Sequence, residues 1–290
     1  MTLPTHPLPA RMPPFQLLGG AWGRDCGFFS FGAFFAPMTP LNTSNLVLLK
    51  ASNLVKRYGP RTVVDKVSFD VGHQEVIGLL GRNGAGKTTT FRMVMGMVEP
   101  NGGQVMFDGF DITKLPMYKR ARRGMGYLSQ EPSIFQRMTV EQNLMAILET
   151  TRRSKRQRKE EAGRLMEQFG LVPMRYQKAV TLSGGERRKL EIARSLVTNP
   201  MLILLDEPFS GVDPIAVEDL QREIRQLKES LGKAILITDH NVQRTLEVCD
   251  RGIIIVDGKV LAQGTPRELI NNPMVRQAYL GRTFKGDEFG

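Results

Sequence analysis

Four stretches of the chain run apolar with almost no interruption: Glu75-Val76-Ile77-Gly78-Leu79-Leu80, Leu202-Ile203-Leu204-Leu205, Ala234-Ile235-Leu236-Ile237 and Ile253-Ile254-Ile255-Val256. A strand with one wet face alternates apolar and polar residues, whereas a run without alternation fits a strand covered on both faces. Segments of helical period separate these runs. Thr88–Met97 reads as a helix. Thr139 and Gln142 form a capping box ahead of Leu144, Ile147 and Leu148, and a second helix runs from the Glu160 region to Phe169, stopping at Gly170. A helix opening at Gly184 puts Leu190, Ala193 and Val197 on one face and ends before Pro200. Asp213 caps a further helix that has Pro214 at its first position and an apolar stripe of Val217, Leu220, Ile224 and Leu227, closed by Gly232. Buried strands alternating with helices predict an α/β protein with a mainly parallel sheet covered on both faces.

Shorter β-rich runs add to this layer: Leu46–Lys50, Thr62–Val71, and Gln104–Phe107 with its Asp108-Gly109 turn. Asp257-Gly258 between Ile253–Val256 and Val260–Ala262 signals a hairpin. Residues 1–45 break the pattern. They are rich in Pro, Gly and Phe, nearly uncharged and without period, and are expected to be a disordered extension, with the part before Met38 an over-called translation start.

Composition narrows the class. With 41% hydrophobic and 24% charged residues in 290, the chain is globular rather than disordered. The net charge of +11 calls for an anionic partner: nucleotide, nucleic acid or an anionic membrane surface. Arg152-Arg153-Ser154-Lys155-Arg156-Gln157-Arg158-Lys159 concentrates that charge, and reads most simply as a solvated helix face near anionic lipid headgroups. Cys26 and Cys249 support neither a disulfide framework nor a zinc site, which fits the reducing cytoplasm. No window reaches the ~18 apolar residues that span a bilayer.

Chemistry concentrates in three places. Gly81-Arg82-Asn83-Gly84-Ala85-Gly86-Lys87-Thr88 follows an apolar strand and opens a helix. Glycines let backbone N–H groups turn inward around phosphate, the helix start adds its positive dipole end, Lys87 reaches the β- and γ-phosphates, and the Thr88 hydroxyl ligates Mg²⁺. Asp206 and Glu207 emerge where a buried strand ends, the first suited to hold Mg²⁺ and the second to polarise an attacking water. Ser183, Gly184, Gly185 and Glu186 open another helix, predicting free N–H groups and a hydroxyl aimed at a second anion.

Together, the phosphate loop, Leu182-Ser183-Gly184-Gly185-Glu186 and Leu202–Glu207 resemble the ABC ATPase family over residues from about 46 to the C-terminus. The resemblance implies a P-loop NTPase (RecA-like) core, an antiparallel β subdomain and an inserted helical subdomain at about 131–182, the whole domain spanning 46–284 with a tail at 285–290. It implies ATP and Mg²⁺, held by residues 81–88 with Thr89, by Asp206, and by Tyr58 stacked on adenine. Gln130 matches a glutamine that contacts Mg²⁺ and the attacking water, Ser210-Gly211-Val212-Asp213 a D-loop, and His240 a γ-phosphate contact. Glu207 would be the general base. One phosphate loop and one signature imply a head-to-tail dimer in which Ser183–Glu186 of a second copy complete each ATP site. Two integral membrane subunits would dock in a groove near Phe135 and Arg137, with no direct cargo contact.

Within the family, Arg120–Leu128, Gln130–Phe135, Leu205–Pro214, Thr238–Val242, Gly264–Pro266 and Tyr279–Gly281 resemble the ATPases that power extraction of lipopolysaccharide from the inner membrane. A place on the cytoplasmic face of that membrane follows. The ATPases of branched-chain amino acid importers are the near rival, and family members acting on ribosomes or nucleic acid the distant one. Against the latter, the stretch from Thr88 to Leu182 has no room for an inserted coiled coil.

Overall fold

The computed structural model describes residues 47–129, 133–210 and 214–280. The extension 1–45, Leu46, Gln130, Gly211 to Asp213 and the tail lie outside the described residues.

Two sheets carry the fold. One is antiparallel, in the order β2-β1-β4-β5: β1 (Val47–Tyr58), β2 (Arg61–Gly72), β4 (Gly102–Phe107) and β5 (Phe110–Asp111). The other has the order β10-β9-β3-β8-β7-β6, with β3 (Val76–Leu80), β6 (Met125–Leu128), β7 (Leu202–Asp206), β8 (Ala234–Asp239), β9 (Arg251–Val256) and β10 (Lys259–Gly264). Its neighbours are parallel except for the β9–β10 hairpin. The uninterrupted apolar runs are its central strands, and alternate residues serve opposite faces. Val76, Ile203, Leu205, Ile235 and Ile237 pack with the helical side. Ile77, Leu79, Leu202, Leu204 and Leu236 pack with helix α1 and the antiparallel sheet.

The phosphate-loop helix α1 spans Lys87–Met95 and ends at Gly96, whose φ of 75° closes it two residues earlier than expected. Its last carbonyls, of Met93 and Val94, accept from the Arg120 guanidinium, which also donates to the carbonyls of Leu115 and Thr113. Burial pushes the Arg120 pKa down to about 10, so the cation stays charged and pins the far end of α1 to helix α2 (Met117–Arg122).

The helical block holds α3 (Val140–Leu148) and α4 (Lys155–Gln168). Thr139 and Gln142 form the expected box. Helix α4 starts ahead of the Glu160 region: Ser154 and Gln157 form a second capping box, so Lys155 to Lys159 lie in its first turns, as a helix face, while Arg152 and Arg153 precede it. Helix α5 (Gly184–Leu196) leads into β7, and α6 (Pro214–Glu229) buries the predicted Val217, Leu220, Ile224 and Leu227. Short helices α7 (Val242–Leu246), α8 (Pro266–Asn271) and α9 (Pro273–Val275) follow, and a π-helical segment, Arg276–Leu280, ends the described chain. No helix among the described residues is long and apolar enough to cross a membrane.

Candidate active site

Three adjacent strands, β3, β8 and β7, end at one edge of the parallel sheet. From those ends come the phosphate loop, Asp239 with His240, and Asp206 with Glu207. This is where an open α/β sheet presents ligands. A cleft of about 450 Å³ lies there, lined by Asn83, Gly84, Gly86, Lys87, Thr88 and Thr89 on one side and by Glu207, Ser210 and His240 on the other, with Val63 at its margin.

The loop closes tightly on its surroundings. Gly86 has φ 105°, and a Cβ there would sit 2.7 Å from the Val63 carbonyl, so the chain passes only as glycine. The hairpin turn Asp257-Gly258 buttresses it: the Gly258 N–H donates to the Ala85 carbonyl, and the Gly258 carbonyl accepts from Asp65. Lys87 is 4% exposed, and its Nζ donates to the carbonyls of Gly81 (2.7 Å) and Arg82 (3.0 Å). Burial lowers its pKa, against the pull of Glu207, Asp239 and Asp206, which hold the proton on. Helix α1 opens on Gly86 without any side-chain cap, so its first N–H groups keep their capacity for an anion.

The acidic side is held by groups to which the motif gives no role of their own, Thr238 and Asp239. The buried Thr238 hydroxyl donates to Asp206 Oδ1 at 2.6 Å, while the Glu207 N–H reaches the Thr238 carbonyl at 2.8 Å. Glu207 sits at φ 44°, a left-handed conformation that costs a non-glycine residue of order 1–3 kcal/mol and is held here by that hydrogen bond. Asp239, fully buried, accepts from the Phe209 and Asn241 N–H groups and fixes the two loops that follow β7 and β8. His240 Nδ1 stands 3.6 Å from Glu207 Oε2 and 3.6 Å from Asp239 Oδ1. Asp206 is 9% exposed and stands behind the cleft wall rather than on it.

Other predicted residues lie apart from this cleft. Tyr58 ends β1 at the turn into β2, 51% exposed, with the Lys56 ammonium 5.3 Å from its ring centre. Ser183 and Glu186 start α5, and here the expectation of an open serine hydroxyl and N–H needs correction, while the N–H groups of Gly184 and Gly185 lie outside the correction. The Ser183 N–H and Oγ–H both donate to Glu186 Oε2, at 2.8 and 2.9 Å, and the Glu186 N–H returns a hydrogen bond to Ser183 Oγ. The helix start caps itself, because a glutamate three residues after the serine is the residue that can do so. Phe135 is 43% exposed, with the Arg194 guanidinium stacked 4.5 Å from its ring centre, which excludes the core role open to an isolated phenylalanine. Arg137 is exposed two residues on.

A family model described as ABC transporter matches residues 64–210, and one described as branched-chain amino acid ATP-binding cassette transporter matches residues 259–285. The lipopolysaccharide export system ATP-binding protein LptB of Haemophilus influenzae is 52% identical over 239 residues, 82% of this chain and 99% of that protein. Its Escherichia coli counterpart is 51% identical over 83% of this chain and 100% of that protein. A probable ABC transporter ATP-binding protein of Azorhizobium caulinodans is 50% identical over 82% of this chain and 84% of its own length. Among solved structures, an ATP-binding cassette of an ABC transporter in its ADP conformation superposes with a TM-score of 0.73 at 28% identity, covering 81% of this chain and 99% of that one. A nucleotide-free cassette gives 0.72 at 29% identity, covering 81% and 100%. The chain belongs to the ABC transporter family, as an LptB-like, nucleotide-binding ATP hydrolase.

Proposed function

We propose that this chain binds ATP with Mg²⁺ at the cleft on the β3–β8–β7 edge, hydrolyses it as a head-to-tail dimer, and powers lipopolysaccharide export from the cytoplasmic face of the inner membrane. The observation that carries the chemistry is the convergence of Lys87, Glu207 and His240 on one cleft. The open start of α1 receives the phosphates. Lys87, already desolvated, exchanges its two loop carbonyls for phosphate oxygens. The donor set fits Mg²⁺, which takes one or two protein oxygens and otherwise water and phosphate: Thr88 would offer its hydroxyl from the cleft lining, and Asp206, next to Glu207 at the end of β7, its carboxylate. When bound, the ion neutralises charge on the transferred phosphoryl group. Glu207 takes the proton of the attacking water, and His240 contacts the γ-phosphate. Gln130, Tyr58 and a partner copy's Ser183, Gly184, Gly185 and Glu186 complete the assignment.

For the cargo system, the supporting observation is identity above half over nearly the full length of proteins named for lipopolysaccharide export. The branched-chain amino acid reading keeps one observation in its favour, the short match at 259–285. Purification from native membranes separates the two: export-system membrane subunits should co-purify, and amino-acid permeases in their place would overturn the assignment. For the chemistry, Glu207→Gln should keep ATP affinity, accumulate an ATP-bound dimer and lower turnover by about 10²–10⁴-fold, the usual worth of a positioned base. Turnover near the parent's would remove Glu207 from that role.

A further inference from the structure

The basic run is not explained by nucleotide chemistry. Of its six cations, two turn inward: Arg153 donates to the Val197 carbonyl at 2.9 Å, and Arg158 to the Thr151 carbonyl. Arg152, Lys155, Arg156 and Lys159 are exposed. Only Arg156 has an ion pair among the described residues, to Glu160 at 3.4 Å, with the two side chains 86% and 62% exposed, so the pair is screened by water. The placement works against the helix itself. There is no acidic residue in the first turn of α4, where the macrodipole favours one, and Lys155 and Lys159 repel at i and i+4. Charge arranged against local stability points to a partner that supplies the missing anions.

Position says which partner. Arg153 anchors the start of α4 on Val197, at the last turn of α5. Three residues earlier on the same turn, Arg194 stacks on Phe135 and donates to the Ser133 carbonyl. The start of α4 and the exposed Phe135 are thus held by the same helix end. We propose that Arg152, Lys155, Arg156 and Lys159 form a contact for the anionic phospholipid surface beside the groove that takes the membrane subunits. This rests on the transporter reading above, because that reading puts a bilayer on the Phe135 side. Long, solvent-exposed cations suit a plane of headgroup phosphates. No aromatic side chain lies within 152–159, so the run offers no platform for stacking bases of a single strand.

Sedimentation of the full chain with vesicles of phosphatidylcholine, with and without phosphatidylglycerol, tests this at low salt. The parent should bind only the anionic vesicles and release them as salt rises. The combined variant Arg152→Gln, Lys155→Gln, Arg156→Gln, Lys159→Gln should partition about tenfold or more weakly while hydrolysing ATP at the parent rate, which reports an intact fold. Equal binding to neutral vesicles, or undiminished binding by the variant, would overturn the proposal. So would complete displacement of the parent from anionic vesicles by duplex DNA at equal phosphate concentration, which would assign the patch to nucleic acid. Phe135→Ala keeps the two readings separable: it should weaken capture of membrane subunits and leave vesicle binding intact. Loss of the first effect alone would strike the groove, and loss of vesicle discrimination alone would strike the lipid contact.

Discussion

Two helix starts that the sequence marks as candidates for anions are finished differently. Helix α1 begins at Gly86 with no side-chain cap, its N–H groups facing a cleft lined by Lys87 and Thr88. Helix α5 begins at Ser183 and closes on itself through Glu186, which takes both the backbone N–H and the hydroxyl of the serine. The dipole and the orphan N–H groups are common to any helix start. What separates the two is whether the sequence supplies its own acceptor. Glycine at the cap of α1 leaves the donors to a ligand; serine and glutamate three apart at α5 satisfy the Ser183 and Glu186 N–H groups and the serine hydroxyl within the chain, but not the N–H groups of Gly184 and Gly185. A single copy therefore offers an uncapped helix start at α1, and at α5 a start where the Ser183 hydroxyl and N–H are held by Glu186 while the Gly184 and Gly185 N–H groups lie outside the box.

The sharpest way to break this comparison is to disarm the open start. Lys87→Ala removes a desolvated cation, and the loss of its charge-assisted hydrogen bonds, about 1.5–3 kcal/mol each, should weaken ATP binding by about tenfold to more than a hundredfold. Calorimetric titration with ATP reads it directly; unchanged affinity would show that the loop backbone suffices. Ser183→Ala tests the closed start. It removes a cap worth about 1 kcal/mol, so the melting temperature should fall by about 2–4 °C, while ATP affinity of the single chain stays at the parent value. If, as proposed, the hydroxyl serves the opposite copy, turnover of the dimer should drop about tenfold. A fall in single-chain ATP affinity instead would place Ser183 in its own copy's site.

How much of this was legible beforehand follows the range of the interactions. Leu202–Leu205 and Ala234–Ile237 are buried on both faces by strands and helices that the apolar runs themselves announce, so the parallel sheet could be read from pattern alone. Loop residues 83–88 follow from local backbone geometry, and the cleft gathers most of them. Thr238 and Asp239 were hidden because their work is done across the sheet, on Asp206 and on Phe209, about thirty residues back in the chain. Helix α2 escaped because its decisive residue, Arg120, is an arginine that buries: a charged side chain reads as surface until the carbonyls of Met93 and Val94 are placed against it. The state of the Ser183 hydroxyl is ambiguous in the sequence for a related reason. The box with Glu186 is visible in the sequence, but a serine followed by glycines suggests an open cradle as readily as a closed cap.

The smallest expected effect on turnover lies behind α5. Glu223 on α6 is largely buried, and its Oε2 has no hydrogen-bond partner among the described residues. Burial pushes its pKa up from 4.5 to about 7, against the attraction of Lys189, Arg188 and Arg222, while Asp219 adds to the rise. The sign follows from proton uptake. Between pH 4.5 and about 7 the folded chain holds a proton that the unfolded chain has released, so stability from this group falls as pH rises through that window, by about 1.4 kcal/mol per unit, and is level on either side. Glu223→Gln, neutral throughout, should lack this decline: equal to the parent near pH 4.5 and several degrees higher in melting temperature at pH 8. Nucleotide affinity should be unchanged, because the cleft at α1 shares no lining residue with the pocket that holds Glu223. Parallel melting curves for parent and variant from pH 5 to 8 would remove Glu223 as the titrating group. A pH-dependent loss of hydrogen-exchange protection centred on α5 and α6, with α1 unmoved, would locate the effect behind the self-capped start and leave the open one independent of it.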